Sequence, residues 1–194
     1  MQLAQEAQRP HLFTVSEYMK LDIPGHTELL GGMIYDVSPK STPHGFAIRR
    51  LNEALTPAIG KPGDKYEISI QDPIAVGGWE GPHAPEIDAA VVERKRYTQT
   101  PNAADSHAFI EVSDTTYADD KKTKIPLYVA ARVPTWHVNI LARRAEFCDI
   151  GADLNAPRIF AENETIEILG VRITVAGLFE PDSEIGTFSP TDFG

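Results

Sequence analysis

The chain has 194 residues, of which 42% are apolar and 24% charged, a composition that suits one globular domain with room for a core and excludes a disordered chain. Its formal net charge of −10 argues against binding nucleic acid through a general basic surface, leaving any such contact to a local cluster such as Lys121, Lys122 and Lys124, or to a metal that screens the acids. Cys148 is the single cysteine, residues 1–10 lack the basic end and apolar stretch of a secretory signal, and no uncharged apolar run approaches the ~18 residues of a membrane span, so a cytoplasmic protein without an internal disulfide or membrane contact is expected.

Residues 1–10 are polar and read as a disordered start, followed by one domain over 11–180 and a tail over 181–194 with few core-forming residues. Thr14 and Glu17 form a capping box, with Phe13 and Tyr18 placed to staple a short helix that ends near Leu21 to Pro24. Glu28 to Val37 reads as a hairpin turning at Gly31-Gly32, and Ser38 to Pro43 as loop. Ala47, Ile48, Leu51, Ala54 and Leu55 recur at helical spacing between His44 and Ile59. Tyr66 to Ile70 alternates as a strand, and Pro73 to Val76 extends it after a kink. Gly77 to Pro85 is loop.

Ile87 to Val92 and Phe109 to Val112 are short, β-branched and apolar on both faces, the pattern of central strands, with a polar excursion between them. Asp119 to Arg132 is helical apart from Pro126, which must sit in the first turn or kink the helix. Thr135 to Leu141 and Arg144 to Ile150 form two more strands, and Ile166 to Val175 a final hairpin around Gly170. Strands and helices mix without regular alternation, which predicts an α/β fold on a mixed sheet flanked by helices.

Asp88 and Glu111 stand inside the two central strands, where a carboxylate is costly to bury without a compensating charge. Alternation puts Asp88, Ala90 and Val92 on one face of their strand and Phe109, Glu111 and Ser113 on one face of the next. If the strands pair, the two acids converge. Carboxylates on adjacent strands suit Mg²⁺, with Mn²⁺ as a substitute, and a following lysine, Lys124, can orient an attacking water or offset phosphate charge. That is chemistry for cleaving phosphodiester bonds. The bare pattern is weak, because Asp followed by Glu-x-Ser recurs by chance.

The surroundings make it specific. Glu28-Leu29-Leu30-Gly31-Gly32-Met33-Ile34-Tyr35, Ser38-Pro39 with His44-Gly45, Pro85-Glu86-Ile87-Asp88-Ala89-Ala90-Val91-Val92, Ile110-Glu111-Val112-Ser113-Asp114-Thr115, Lys124-Ile125-Pro126-Leu127-Tyr128 and Val133-Pro134-Thr135-Trp136-His137-Val138 follow in an order that resembles the Uma2 family of bacterial restriction endonucleases, within the PD-(D/E)-x-K nucleases. The resemblance spans roughly residues 13–180. It implies a restriction-endonuclease-like fold, Mg²⁺-dependent cleavage of DNA, Asp88 and Glu111 as metal ligands, and a possible homodimer. The lysine expected two residues after the Glu is Ser113 here, and the resemblance implies that Lys124 from the following helix fills the role. Glu28 is similar to an acid that reaches the same site. Gly31 and Met33 replace acids of the family pattern, and the Pro-Asp pair is opened by Glu86-Ile87, which makes Glu86 a rival ligand.

Plainer readings stand beside these. Asp88 could cap a turn, Glu111 and Lys124 could form a structural ion pair, and Ser113 and Asp114 could cap the loop before the helix. His44 could be an ordinary helix-start residue, Gln71 an ordinary strand residue, His137 strand packing and Tyr128 core. The six histidines lack zinc-like spacing. The function expected is a Mg²⁺-dependent DNA endonuclease. The alternatives are a catalytically inactive nuclease fold serving as a binding or assembly module, and a hydrolase of small phosphoesters.

Overall fold

A computed structural model describes residues 10–179. The expected disordered start (all but Pro10) and the tail over 181–194 lie outside the described residues. The Thr14 capping box forms as expected: its side chain and that of Glu17 satisfy each other's backbone N–H groups at the head of α1 (Val15–Tyr18). The hairpin β1 (Thr27–Leu30) and β2 (Met33–Asp36) turns at Gly31-Gly32, both at positive φ. At Gly32 a Cβ would come within 2.8 Å of Leu12, so only glycine fits.

α2 (Thr42–Ile59) starts earlier than the spacing predicts, because Ser41 accepts the His44 N–H as N-cap and Pro43 is tolerated in the first turn. The main sheet has six strands in the order β3-β4-β5-β6-β7-β8: β3 (Tyr66–Pro73), β4 (Glu86–Glu93), β5 (Ser106–Ser113), β6 (Thr135–Asn139), β7 (Arg144–Cys148) and β8 (Arg158–Phe160). All neighbours are antiparallel except β5 and β6, which run parallel and are joined by α3 (Tyr117–Ala130). A parallel pair needs such a crossover. β9 (Thr165–Ile168) and β10 (Val171–Thr174) form the final hairpin.

Several expectations are corrected. α3 spans Tyr117–Ala130 rather than Asp119 to Arg132, and Pro126 lies inside it, past the first turn. β3 runs on to Pro73, with the ladder interrupted only at Gln71 (φ +53) opposite Asp88, whereas Ala75 and Val76 make only isolated bridges. β6 and β7 end at Asn139 and Cys148, short of Leu141 and Ile150. The edge strand β8 has no counterpart among the expected elements, since three residues carry no readable period.

The sheet has two differently built faces. Ala89 and Val91 of β4 and Ala108, Ile110 and Val112 of β5 pack with Leu51 and Leu55 of α2 in one core. Ala90, Val92 and Phe109 pack with Ile125, Tyr128 and Val129 of α3 in the other. The α3 face also carries a buried polar row. Glu111 is the register partner of His137, and His137 of Glu146, while the ladder of Ala89 with Ile110 points Asp88 toward Glu111 as the next pair. All four are at most 2% exposed. Burying such a row requires partners; α3 supplies those of Glu111 and two of those of Glu146, while Asp88 is held from α2, β5 and the segment before α2.

Candidate active site

The β4–β5 ladder runs no further than Ala89 and Ile110, and the site forms where the two strands part. There the Asp88 carboxylate accepts the Val112 N–H at 2.9 Å through Oδ2, taking a backbone donor that the sheet has released. His44 Nε2, in the first turn of α2, lies 3.1 Å from the same oxygen. Oδ1 faces Lys40 Nζ at 3.3 Å. Burial alone would raise the pKa of Asp88, but the His44 hydrogen bond and the Lys40 charge outweigh it and hold the carboxyl below its ordinary value.

Glu111 is held from α3. Lys124 Nζ donates to its Oε1 at 3.0 Å, and Tyr128 Oη, one turn further on, donates to Oε2 at 3.1 Å. Burial nevertheless dominates, and together with the nearby Asp88 and Asp120 charges it pushes Glu111 up to about 8 against the pull of Lys124. Lys124 is also buried, which would favour its neutral form, yet Glu111, Glu28 and Asp120 keep it charged well above the ordinary lysine range. Lys124 Nζ also pairs Glu28 Oε2 at 3.0 Å, and that oxygen accepts the Glu86 N–H. Glu86 is turned toward His26 at 3.3 Å and Lys40 at 3.8 Å.

Asp88, Glu111, Lys124, Glu28, Glu86 and His44 therefore belong to one buried ionic cluster. His44, Glu28, Glu111 and Lys124 line a cleft of about 510 Å³, whose far wall is the segment from Asp36 to Ser41. Gln71 does not join them; it lines a neighbouring pocket with His26, Lys40 and Glu86. Ser113 is fully buried, its hydroxyl bonded to Asp120 at 2.7 Å and to His137 Nε2 at 2.7 Å, and it does not cap α3, whose N-cap is Thr116. Gly31 and Met33 lie at the hairpin turn and do not line the cleft.

Sequence reasoning missed Lys40, because a loop lysine carries no periodic signal. Tyr128, expected as core on the helix face it shares with Lys124, does lie in the core, and its hydroxyl also reaches Glu111. The remainder of the polar row is structural. Tyr117 stacks on His137 with ring centroids 4.6 Å apart and donates to Glu146, which Lys121 and Arg144 also hold.

The carboxylates of Asp88, Glu111 and Glu28 are oxygen donors of the kind that Mg²⁺ and Mn²⁺ prefer. Among the described residues no three acid, histidine or cysteine side chains are drawn together tightly enough to cage an ion, and lysines pair with the carboxylates of Asp88, Glu111 and Glu28. His44 Nδ1, by contrast, is a buried polar atom without a partner. The donor chemistry fits a divalent cation that would exchange with internal positive charge.

A mixed six-stranded sheet packed against helices, with a carboxylate and lysine cluster where two central strands part, defines a single α/β domain. The chain belongs to the Uma2 family, described as "Putative restriction endonuclease", which it matches over residues 15–175. A solved structure of a nuclease described as putative, belonging to DUF820, from Anabaena variabilis is similar in fold, with a TM-score of 0.62 and 12% identity over 86% of this chain and 97% of that one. No curated protein matches the sequence. Among the described residues no helix is long and apolar enough to cross a membrane.

Proposed function

We propose that this protein is a divalent-cation-dependent endonuclease that hydrolyses DNA phosphodiester bonds, with Asp88 and Glu111 as the ligands of the cation and Lys124 beside them. The observation that carries this reading is Lys124 Nζ, buried and 3.0 Å from both Glu111 and Glu28, in the lining of a cleft that His44 also lines. A large ionic cluster is rarely a net gain in stability, so its position in a cleft favours chemistry over structure.

A bound Mg²⁺ would supply Lewis acidity toward a phosphoryl oxygen and lower the pKa of a water. Lys124 is held charged, so it acts as an electrostatic partner of the phosphate and of the departing oxygen rather than as a base. Tyr128 fixes the rotamer of Glu111, and the Val112 N–H fixes that of Asp88, so both carboxylates are oriented before substrate arrives. Glu28 is the second carboxylate partner of Lys124, also at 3.0 Å. Plasmid DNA incubated with Mg²⁺ or Mn²⁺ is nicked by the wild-type protein on this reading, and Glu111→Gln or Asp88→Asn abolishes the nicking. Equal activity in wild type and variants would sink it.

One observation favours a second reading. Every oxygen of Asp88 and Glu111 already has an internal donor. A nuclease fold that has lost catalysis and serves as a binding or assembly module would look the same. Calorimetric titration with Mn²⁺ separates the two, since the inactive fold gives no saturable binding that depends on Asp88 and Glu111.

A further inference from the structure

We infer that Lys40 is a tethered cation that keeps the place of the divalent ion: its ammonium pairs with Asp88 and Glu86 in the ion-free protein, gives way when the ion binds, and is then the cleft-wall charge offered to a substrate phosphate. The inference rests on the cation-dependent reading above.

The two oxygens of Asp88 are not equivalent. Oδ2 is held by a backbone N–H and by His44, both on regular elements, whereas Oδ1 has Lys40 alone. Displacing one side chain therefore frees one carboxylate oxygen without disturbing the fold. Glu86 Oε1 is freed by the same movement.

Lys40 is also the cation best able to leave. It stands in the segment between β2 and α2, outside any helix or strand, and its side chain is 27% exposed against 8% for Lys124. Its contacts are long, at 3.3 and 3.8 Å, where a tight charge-assisted bond is roughly 2.7–2.9 Å. Lys124 holds both of its carboxylates at 3.0 Å. A lysine stem of four carbons can swing its head to water while the chain stays in place.

Charge balance gives the displaced ammonium a task. The cleft is lined by five acidic side chains and only two lysines, Lys40 and Lys124, so a phosphate approaching the ion-free cleft meets net repulsion. Binding of a divalent ion reverses the sign near Asp88 and repels Lys40 outward, toward the side from which the phosphate must enter.

The test is calorimetric titration of Mn²⁺ into the full chain as wild type, Lys40→Met and Lys40→Arg, with Asp88→Asn as the control for surface binding and circular dichroism to confirm folding. Lys40→Met keeps the stem and removes the competitor, so Mn²⁺ binds at least about tenfold more tightly. Plasmid nicking at saturating Mn²⁺ falls in the same variant, because the phosphate contact is gone. Lys40→Arg keeps the wild-type affinity within a few-fold. Saturable binding in wild type that is unchanged or weaker in Lys40→Met overturns the inference and leaves the cation reading standing. Absence of Asp88-dependent binding in both proteins overturns the cation reading, and the inference with it.

Discussion

Tyr128 Oη donates to Glu111 Oε2 at 3.1 Å, one helical turn from the lysine that holds the other oxygen of the same carboxylate. Two successive turns of α3 thus serve one acid. Tyr128 is fully buried, packs edge-on against Phe109 with centroids 5.1 Å apart, and its phenol is held well above its ordinary pKa, first by burial and then by the Glu111 charge. It remains a donor throughout the neutral range. Tyr128→Phe keeps the ring packing and leaves Oε2 without a partner, which costs roughly 1–2 kcal/mol of unfolding free energy in urea titrations. A loss within error of zero would mean that the phenol does not orient Glu111.

The raised pKa of Glu111 has a consequence for stability. In the unfolded chain this carboxyl titrates at its ordinary value of 4.5, whereas in the folded protein it retains its proton up to about 8. Between those values the folded state binds more protons, so the contribution is fully present below 4.5 and is lost as pH rises through 8. Glu111→Gln keeps the shape, removes the titration and flattens that slope, an effect of the order of a few kcal/mol between about pH 5 and 9. Urea midpoints of both proteins across that range decide it; parallel curves contradict the assignment.

His137 works with the opposite sign. Burial lowers its imidazole to about 4, even though Asp120 and Glu146 pull the other way. Between about 4 and its ordinary value of 6.5 the unfolded chain binds the extra proton, so stability is fully present above 6.5 and is lost as pH falls toward 4. The loss amounts to about 3 kcal/mol. His137→Gln can still meet the Ser113 hydroxyl and lacks the titration, so its stability changes less than that of wild type between about pH 7 and pH 5. An equal fall in both proteins would place the acid sensitivity elsewhere.

Removing the charge of Lys124 tests the cluster as a whole. Lys124→Met leaves Glu111 and Glu28 without their shared cation in a buried setting, and breaking one side of such a pairing costs about 3–5 kcal/mol. Thermal melts should show this at neutral pH. A loss within error of zero would mean that Lys124 does not hold these two acids together.

The central strands were readable in the sequence, and so was the need of Asp88 and Glu111 for charged partners, because an acid inside a short apolar run is costly to bury without one. The capping box at Thr14 and the Gly31-Gly32 turn were equally legible, since each is a local device whose residues lie within a few positions of one another. Lys40 was hidden because its role depends on how a loop folds back over a strand 48 residues away. The polar row was hidden too: Glu146 and His137 look like ordinary strand residues until register brings them into line with Glu111. Ser113 shows the limit of motif arithmetic. It occupies the position two residues after Glu111 but commits its hydroxyl to Asp120 and His137.

The most direct measurement is anomalous scattering from a crystal of the full chain grown with Mn²⁺. The expected result is one strong peak within coordination distance of carboxylate oxygens of both Asp88 and Glu111, with Lys40 turned away from Oδ1. A well-ordered site without that peak, with Lys40 and Lys124 still closed on the two carboxylates at saturating Mn²⁺, would contradict a shared cation.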